Sequence, residues 1–318
     1  MEKLFETEAE EASSSSQDHK RWIEAQDTLR TRLITKDDFA WKLPKTTSRE
    51  KAEELEEVEM LRYVGGVDVS FSKEDPTVAC GTLVVLDIQN LQVVYEDFAI
   101  VTIAVPYVPG FLAFREAPIL LELLQRMKKK DASPFYPQLL MVDGNGILHP
   151  RGFGLACHLG VLADLPTIGI GKNLHHVDGL TYSRVRQLLE AKENSTRDFI
   201  TLTGCSGHIW GAAMRSTQDS LKPMFISVGH RVSLYTAIII VKMTCKYRVP
   251  EPIRQVEGIP AEASKGSVRM IQLHGSGWFT YFSLLQHIYF QKHKTAEGMR
   301  SENIREVHSC YKQARKVQ

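Results

Sequence analysis

Tyr63–Phe71 reads YVGGVDVSF, and together with Val78–Leu86 (VACGTLVVL) and Leu91–Ile103 (LQVVYEDFAIVTI) it decides the fold. All three stretches are rich in β-branched and aromatic residues, and the turn-like pieces SKEDP and DIQN separate them. Strands on such short connections predict an antiparallel meander. Ile119, Leu120, Leu123, Leu124 and Met127 then mark a helix with one apolar stripe. Gln138–Asp143 (QLLMVD) reads as a short strand. Gly152–Asp164 (GFGLACHLGVLAD) reads as a helix whose small residues suit close packing, and Thr167–Ile170 (TIGI) as another buried strand.

The order β-β-β-α-β-α-β predicts an α/β fold: a mixed sheet of three antiparallel strands followed by βαβ crossovers, with helices on both faces. That is the element order of the ribonuclease H-like fold. Farther along, RVRQLLEAK reads as a helix, IWGAAMR and PMFISV as strands, and SLYTAIIIVKMTC as an apolar helix. Near the start, Trp22, Ala25, Leu29 and Leu33 repeat at helical period and predict an amphipathic helix lying on the core.

Composition sets the class. In 318 residues, 43% are apolar and 24% charged, enough for a sizeable core in a soluble globular protein. The longest aliphatic run, Ala237 to Val241, is too short to span a membrane. The first residues, MEKLFETEAEEASSSSQ, have neither a basic start nor an apolar stretch, so no secretory signal is expected. The net charge of +1 hides an asymmetry: residues 1–60 carry 10 basic and 16 acidic side chains, residues 265–318 carry 9 and 3. A near-neutral core leaves room for a local basic groove. Residues 1–16 are expected to be a disordered acidic tail, 17–257 the folded domain, and 258–318 a basic C-terminal tail. The five cysteines, Cys80, Cys157, Cys205, Cys245 and Cys310, form no Cys-x-x-Cys pair and read as reduced thiols of a cytosolic or nuclear protein.

In the first strand Val67, Val69 and Phe71 share one face, which turns Asp68 to the other. A strand aspartate by itself is ordinarily an edge or bulge residue. Here it has company. Asp143 ends the QLLMVD strand and Glu116 opens the helix after PYVPG. With the first strand central and that of Asp143 beside it, the three carboxylates converge at one sheet edge. Carboxylates so gathered raise one another's pKa unless a cation neutralises them, and all-oxygen ligands suit Mg2+ or Mn2+. Turn chemistry for Asp143 and helix-dipole stabilisation for Glu116 are the competing explanations. Lys172, at a strand end, is either a phosphate-neutralising cation or an ordinary solvated lysine. His149 beside Arg151, and His230 beside Arg231, are phosphate contacts or structural pairs. In Pro106–Gly110 (PYVPG) two prolines restrict the backbone around Tyr107, which suits a ring that stacks on or wedges between bases, or one packed under its own loop.

GGVDVSF, PYVPGFLAFRE, VDGNGILHPRGFGLACHLGV, DLPTIGIGK and ISVGHRVSL, in that order, closely resemble endonuclease V, the family of inosine-specific endonucleases, over about Trp22 to Gln255. The resemblance implies a Mg2+-dependent nuclease, with Mn2+ as a substitute. Its members cut the second phosphodiester bond 3′ to inosine and leave 3′-hydroxyl and 5′-phosphate ends. It implies that Asp68 and Asp143 ligate metal, that Glu116 completes the acidic site, and that Tyr107 is the wedge filling the place of a displaced base. Lys172 and His230 would be supporting catalytic or phosphate-contacting residues, and Gly154 and Gly169 would let backbone line the hypoxanthine pocket. It also implies a monomer acting on inosine-containing single-stranded RNA, and on deoxyinosine DNA, in cytoplasm and nucleus. Nucleolus and stress granules, and RNA-binding protein partners in RNA granules, belong to the same expectation. Two departures stand out: Tyr235-Thr236-Ala237 where the family has Glu-x-Ala, and Val256-Glu257 where it has Ala-Asp. An inosine-RNA binder with chemistry impaired by the altered C-terminus is the alternative.

Overall fold

A computed structural model describes residues 19–44, 59–103, 105–129, 133–191, 199–216 and 222–263. All belong to a unit spanning Met1–Trp278; a second, Phe279–Gln318, lies outside them. The expected acidic tail and nearly all of the expected C-terminal tail also lie outside.

Eight strands form one sheet: β1 (Tyr63–Phe71), β2 (Val78–Asp87), β3 (Gln92–Thr102), β4 (Leu139–Asp143), β5 (Thr167–Gly171), β6 (Phe199–Thr203), β7 (Ile209–Met214) and β8 (Met224–His230). Their order is β3-β2-β1-β4-β5-β8-β7-β6. The meander β1–β3 is antiparallel, β1, β4 and β5 are mutually parallel, and β8, β7 and β6 return antiparallel. The predicted half of the sheet therefore stands. The strand β6 escaped the sequence reading because FITLT is short and only its second and fourth residues are buried.

The helices are α1 (residues 19–30), α2 (Ala113–Lys129), α3 (Leu155–Ala163), α4 (Tyr182–Ala191), α5 (Leu234–Thr244) and α6 (Glu251–Ala263). The stripe of α2 buries all five predicted apolar residues, each worth about 1.5–3 kcal/mol of apolar burial. Ser233 caps α5 by accepting a hydrogen bond from the Thr236 amide. Helix α6 was not foreseen, and it runs past residue 257, where the folded domain was expected to end.

Two glycines show which helix covers which face. A Cβ on Gly81 would lie 2.4 Å from Ile119 Cγ2 of α2. A Cβ on Gly66 would lie 2.1 Å from the Pro252 carbonyl oxygen of α6. Gly81 pairs with Val69, so Val69 faces α2, whereas Gly66 and Asp68 face α6. Gly66 thus lets α6 lie directly on the central strand. We expect Gly66→Ala to lower stability by about 1–3 kcal/mol through overpacking, read as a shifted urea midpoint; an unchanged midpoint would show that this contact is not tight.

Candidate active site

Register brings the two aspartates together. On parallel strands Val67 pairs with Val142, so the next residues, Asp68 and Asp143, are neighbours on one face, the α6 side. In the next strand Asp143 pairs with Ile170, and Lys172 follows two residues later. The Lys172 ammonium lies 2.5 Å from Asp143 Oδ2 and 2.7 Å from Glu257 Oε1 of α6. Lys172 is thus no freely solvated lysine; it is the cation among these carboxylates.

Glu257 was noticed in the sequence only as a departure from Ala-Asp. A helical reading of Glu251–Ala263 would have made it a candidate, but its approach to Lys172 depends on α6 crossing β1.

Glu116 comes from the first turn of α2, on the opposite face, and is buried. Among the described residues no three His, Cys, Asp or Glu side chains are gathered into a ready-made cation cage. Asp68 and Asp143 adjoin on one face, Glu257 approaches from that side, and Glu116 feels them from the other.

The electrostatics show the strain of this grouping. Burial, and then the charge of Asp143, push Asp68 up to about 6, with Lys172 pulling the other way. Burial, then the charges of Asp68 and Asp143, push Glu116 up to about 8. Burial also raises Asp143, while the Lys172 contact opposes it. Burial alone would lower Lys172, yet its bonds to Asp143 and Glu257 hold it above its usual value. The donors are all carboxylate oxygens under mutual repulsion, so their chemistry fits a hard divalent cation.

Other expected site residues sit elsewhere. His230 pairs with Thr167 at the start of β5, the end away from Lys172. It is buried, its Nδ1 accepts from the Ile34 amide at 3.3 Å, and burial followed by the charge of Arg231 lowers it to about 4. That geometry holds β8 against the segment after α1 and leaves His230 out of the carboxylate group. His149 is likewise buried and lowered to about 4, first by burial and then by His175 and Arg151. Its Nδ1 accepts from the Arg151 amide, so it is a neutral turn residue and not a cation facing phosphate. The Arg151 guanidinium is already engaged, donating to Gln26 and Asp27.

Gly154 and Gly169 are packed against backbone. A Cβ on Gly154 would lie 2.3 Å from the Asn145 carbonyl oxygen, and one on Gly169 would lie 2.3 Å from the Gly146 amide nitrogen. Both hold loop 144–146, next to Asp143, in close register. Tyr107 is 64% exposed. The turn beneath it closes by the Phe111 amide donating to the Val108 carbonyl at 3.0 Å, and Gly110 has φ +85°.

The sheet order, with paired aspartates on its central parallel strands and helices on both faces, defines a ribonuclease H-like fold. Residues 44–257 match the family model described as Endonuclease V, and the chain belongs to that family. It is 45% identical to mouse Endonuclease V over 236 residues, 74% of this chain and just under two thirds (66%) of the mouse protein. The crystal structure of the human Endonuclease V catalytic domain superposes with a TM-score of 0.69 at 42% identity, covering 78% of this chain and 96% of that one. Ciona intestinalis Endonuclease V, solved with a 24mer DNA containing an inosine followed by a ribo-adenosine, superposes with a TM-score of 0.67 at 32% identity, covering 78% and 98%.

A raised carboxylate pKa has a definite consequence for stability. Glu116 goes from 4.5 to about 8 and Asp68 from 3.8 to about 6 on folding. Between those values the native state binds more protons than the unfolded state, so stability falls as pH rises. We expect the metal-free protein to lose thermal stability from about pH 5 to pH 8, and Glu116→Gln to flatten that slope. Melting curves in a chelating buffer measure both; a slope that Glu116→Gln leaves intact would show that Glu116 does not carry it.

Proposed function

We propose that the chain is a divalent-metal-dependent endonuclease that cuts inosine-containing single-stranded RNA, and deoxyinosine DNA, at the second phosphodiester bond 3′ to inosine, leaving 3′-hydroxyl and 5′-phosphate ends. The observation that carries the reading is the adjacency of Asp68 and Asp143 set by the Val67–Val142 register, with Lys172 bridging Asp143 and Glu257. Family membership and the inosine-containing DNA held by the Ciona relative support the substrate.

A Mg2+ or Mn2+ ion would be held by Asp68 and Asp143, with Glu116 and Glu257 supplying further negative charge. When bound, such an ion supplies positive charge against the phosphate as negative charge develops there. The protein's own part is positioning. Lys172 fixes the orientation of Asp143 and adds a cation beside the phosphate. Gly154 and Gly169 let loop 144–146 pack where backbone donors can read the six position of the base. There inosine carries an acceptor oxygen and adenosine a donor amino group. Tyr107, exposed on its restricted loop, fills the place the displaced base vacates. The presence of a carboxylate at Glu257 favours an active nuclease over the impaired binder. Action as a monomer in cytoplasm and nucleus, with nucleolus, stress granules and granule proteins as further sites and partners, belongs to the same proposal. Among the described residues no helix is long and apolar enough to cross a membrane.

Asp68→Ala and Asp143→Ala should each abolish cutting of an inosine RNA oligonucleotide in Mg2+ while retaining its binding, because the ring and base contacts lie elsewhere. Single-turnover cleavage and anisotropy measure the two effects, and a variant that still cuts at the parent rate would end the assignment. Tyr107→Ala should weaken binding about tenfold to a hundredfold, the worth of one stacked base, and Tyr107→Phe should be mild because the ring face does the stacking. A Phe variant as poor as the Ala variant would make Tyr107 a hydrogen-bonding residue.

A further inference from the structure

Gln26 lies on α1, ahead of the residues that match the family model, and is 1% exposed. It makes three long-range hydrogen bonds. Its Nε2 donates to the Gly110 carbonyl at 3.2 Å and to the Phe153 carbonyl at 3.0 Å, and its Oε1 accepts from Arg151 Nε. Gly110 is three residues after Tyr107, and Phe153 directly precedes Gly154. One buried amide therefore ties the loop bearing the exposed tyrosine to the loop that enters α3 beside Asn145 and Gly146.

The surroundings reinforce the tie. Arg151 also donates to Asp27 Oδ1 at 3.2 Å, and Arg30 donates to the Arg151 carbonyl at 3.0 Å. The Arg151 guanidinium lies 5.2 Å over the Phe111 ring, and Trp22 stacks on Phe114 at 5.6 Å. Helix α1 thus presses on the first turn of α2, the turn that carries Glu116, while Gln26 holds both loops from beneath. Leaving a buried amide or the two carbonyls unbonded is costly, so the arrangement is held in one state.

We propose that Gln26 is a positioning residue that fixes the reach of Tyr107 relative to the base-reading loop. The proposal rests on the wedge reading of Tyr107 above. A ring held off the stack forfeits about tenfold to a hundredfold in affinity, the worth of one stacked base.

A double-mutant cycle tests the coupling. Gln26→Glu keeps an acceptor for Arg151 but loses both donors and sets a carboxylate against two carbonyl oxygens. Gln26→Met keeps the length and removes every bond, and serves if the Glu variant fails to fold. Binding of an inosine RNA oligonucleotide is followed by anisotropy with a chelator present, well below the melting temperature of each variant. We expect either Gln26 variant to weaken binding about tenfold, within the range that one stacked ring supplies, and to have almost no further effect in the Tyr107→Ala background. A Gln26 effect that persists undiminished in that background, while Tyr107→Ala alone still weakens binding, would overturn the positioning role and leave the wedge standing. Native affinity in the Gln26 variants would overturn it as well. Native affinity in Tyr107→Ala alone would end the wedge reading and this proposal together.

Discussion

A slip of one residue between β1 and β4 would carry Asp68 or Asp143 to the opposite face of the sheet, because strand side chains alternate with a period of two. The observed register, Val67 against Val142, therefore fixes more than strand pairing. It places two carboxylates side by side on a face that α6 approaches closely enough to deliver Glu257. The register is itself held by burial: Val64, Val67, Leu139, Leu140, Met141 and Val142 are all inaccessible to solvent. Slipping would expose part of this set or push the aspartates into the core under α2.

Adjacent carboxylates cost free energy in a partly buried setting, and the chain offsets that cost with one ammonium. Lys172 touches Asp143 and Glu257 at once, yet Asp68 and Glu116 stay pushed upward. The cluster is thus more negative than its own cation can balance, which is the condition under which a further divalent cation binds well. Histidine contributes little here. His149 and His230 are both buried and lowered, and each spends its Nδ1 on a backbone amide. They shape turns and leave the charge balance to carboxylates and lysine.

The loops around Tyr107 and Asn145 depend on backbone packing. Gly154 and Gly169 are needed because Asn145 and Gly146 occupy the space where their side chains would lie. Small residues in α3 serve the same end, since a Cβ on Gly160 would lie 2.4 Å from Thr167 Oγ1 and 2.6 Å from His230 Cβ. Loops built by such contacts have little freedom, and α1 adds a further constraint through Gln26 and Trp22. Tyr107 stands exposed above this packed base, so a ring with freedom to meet a ligand is carried on a support with very little.

The sequence by itself determined the meander, the helix after PYVPG and the strand ending at Asp143, since each is written in local periodicity and turn chemistry. It also singled out Asp68, Asp143 and Lys172, because charged residues inside or ending apolar strands are conspicuous. Tertiary structure alone decided the rest. The strand FITLT carries too little apolar pattern to announce itself, and α6 is recognised as part of the site only by where it lies. That Glu257 reaches Lys172, that Glu116 on α2 senses both aspartates, and that His230 stands at the end of β5 away from Lys172 all follow from the crossing of elements distant in sequence. Local pattern specifies which residues share an element and a face. Which faces meet is fixed by long-range packing, such as Gly66 admitting the Pro252 carbonyl, and no spacing within the chain encodes that distance.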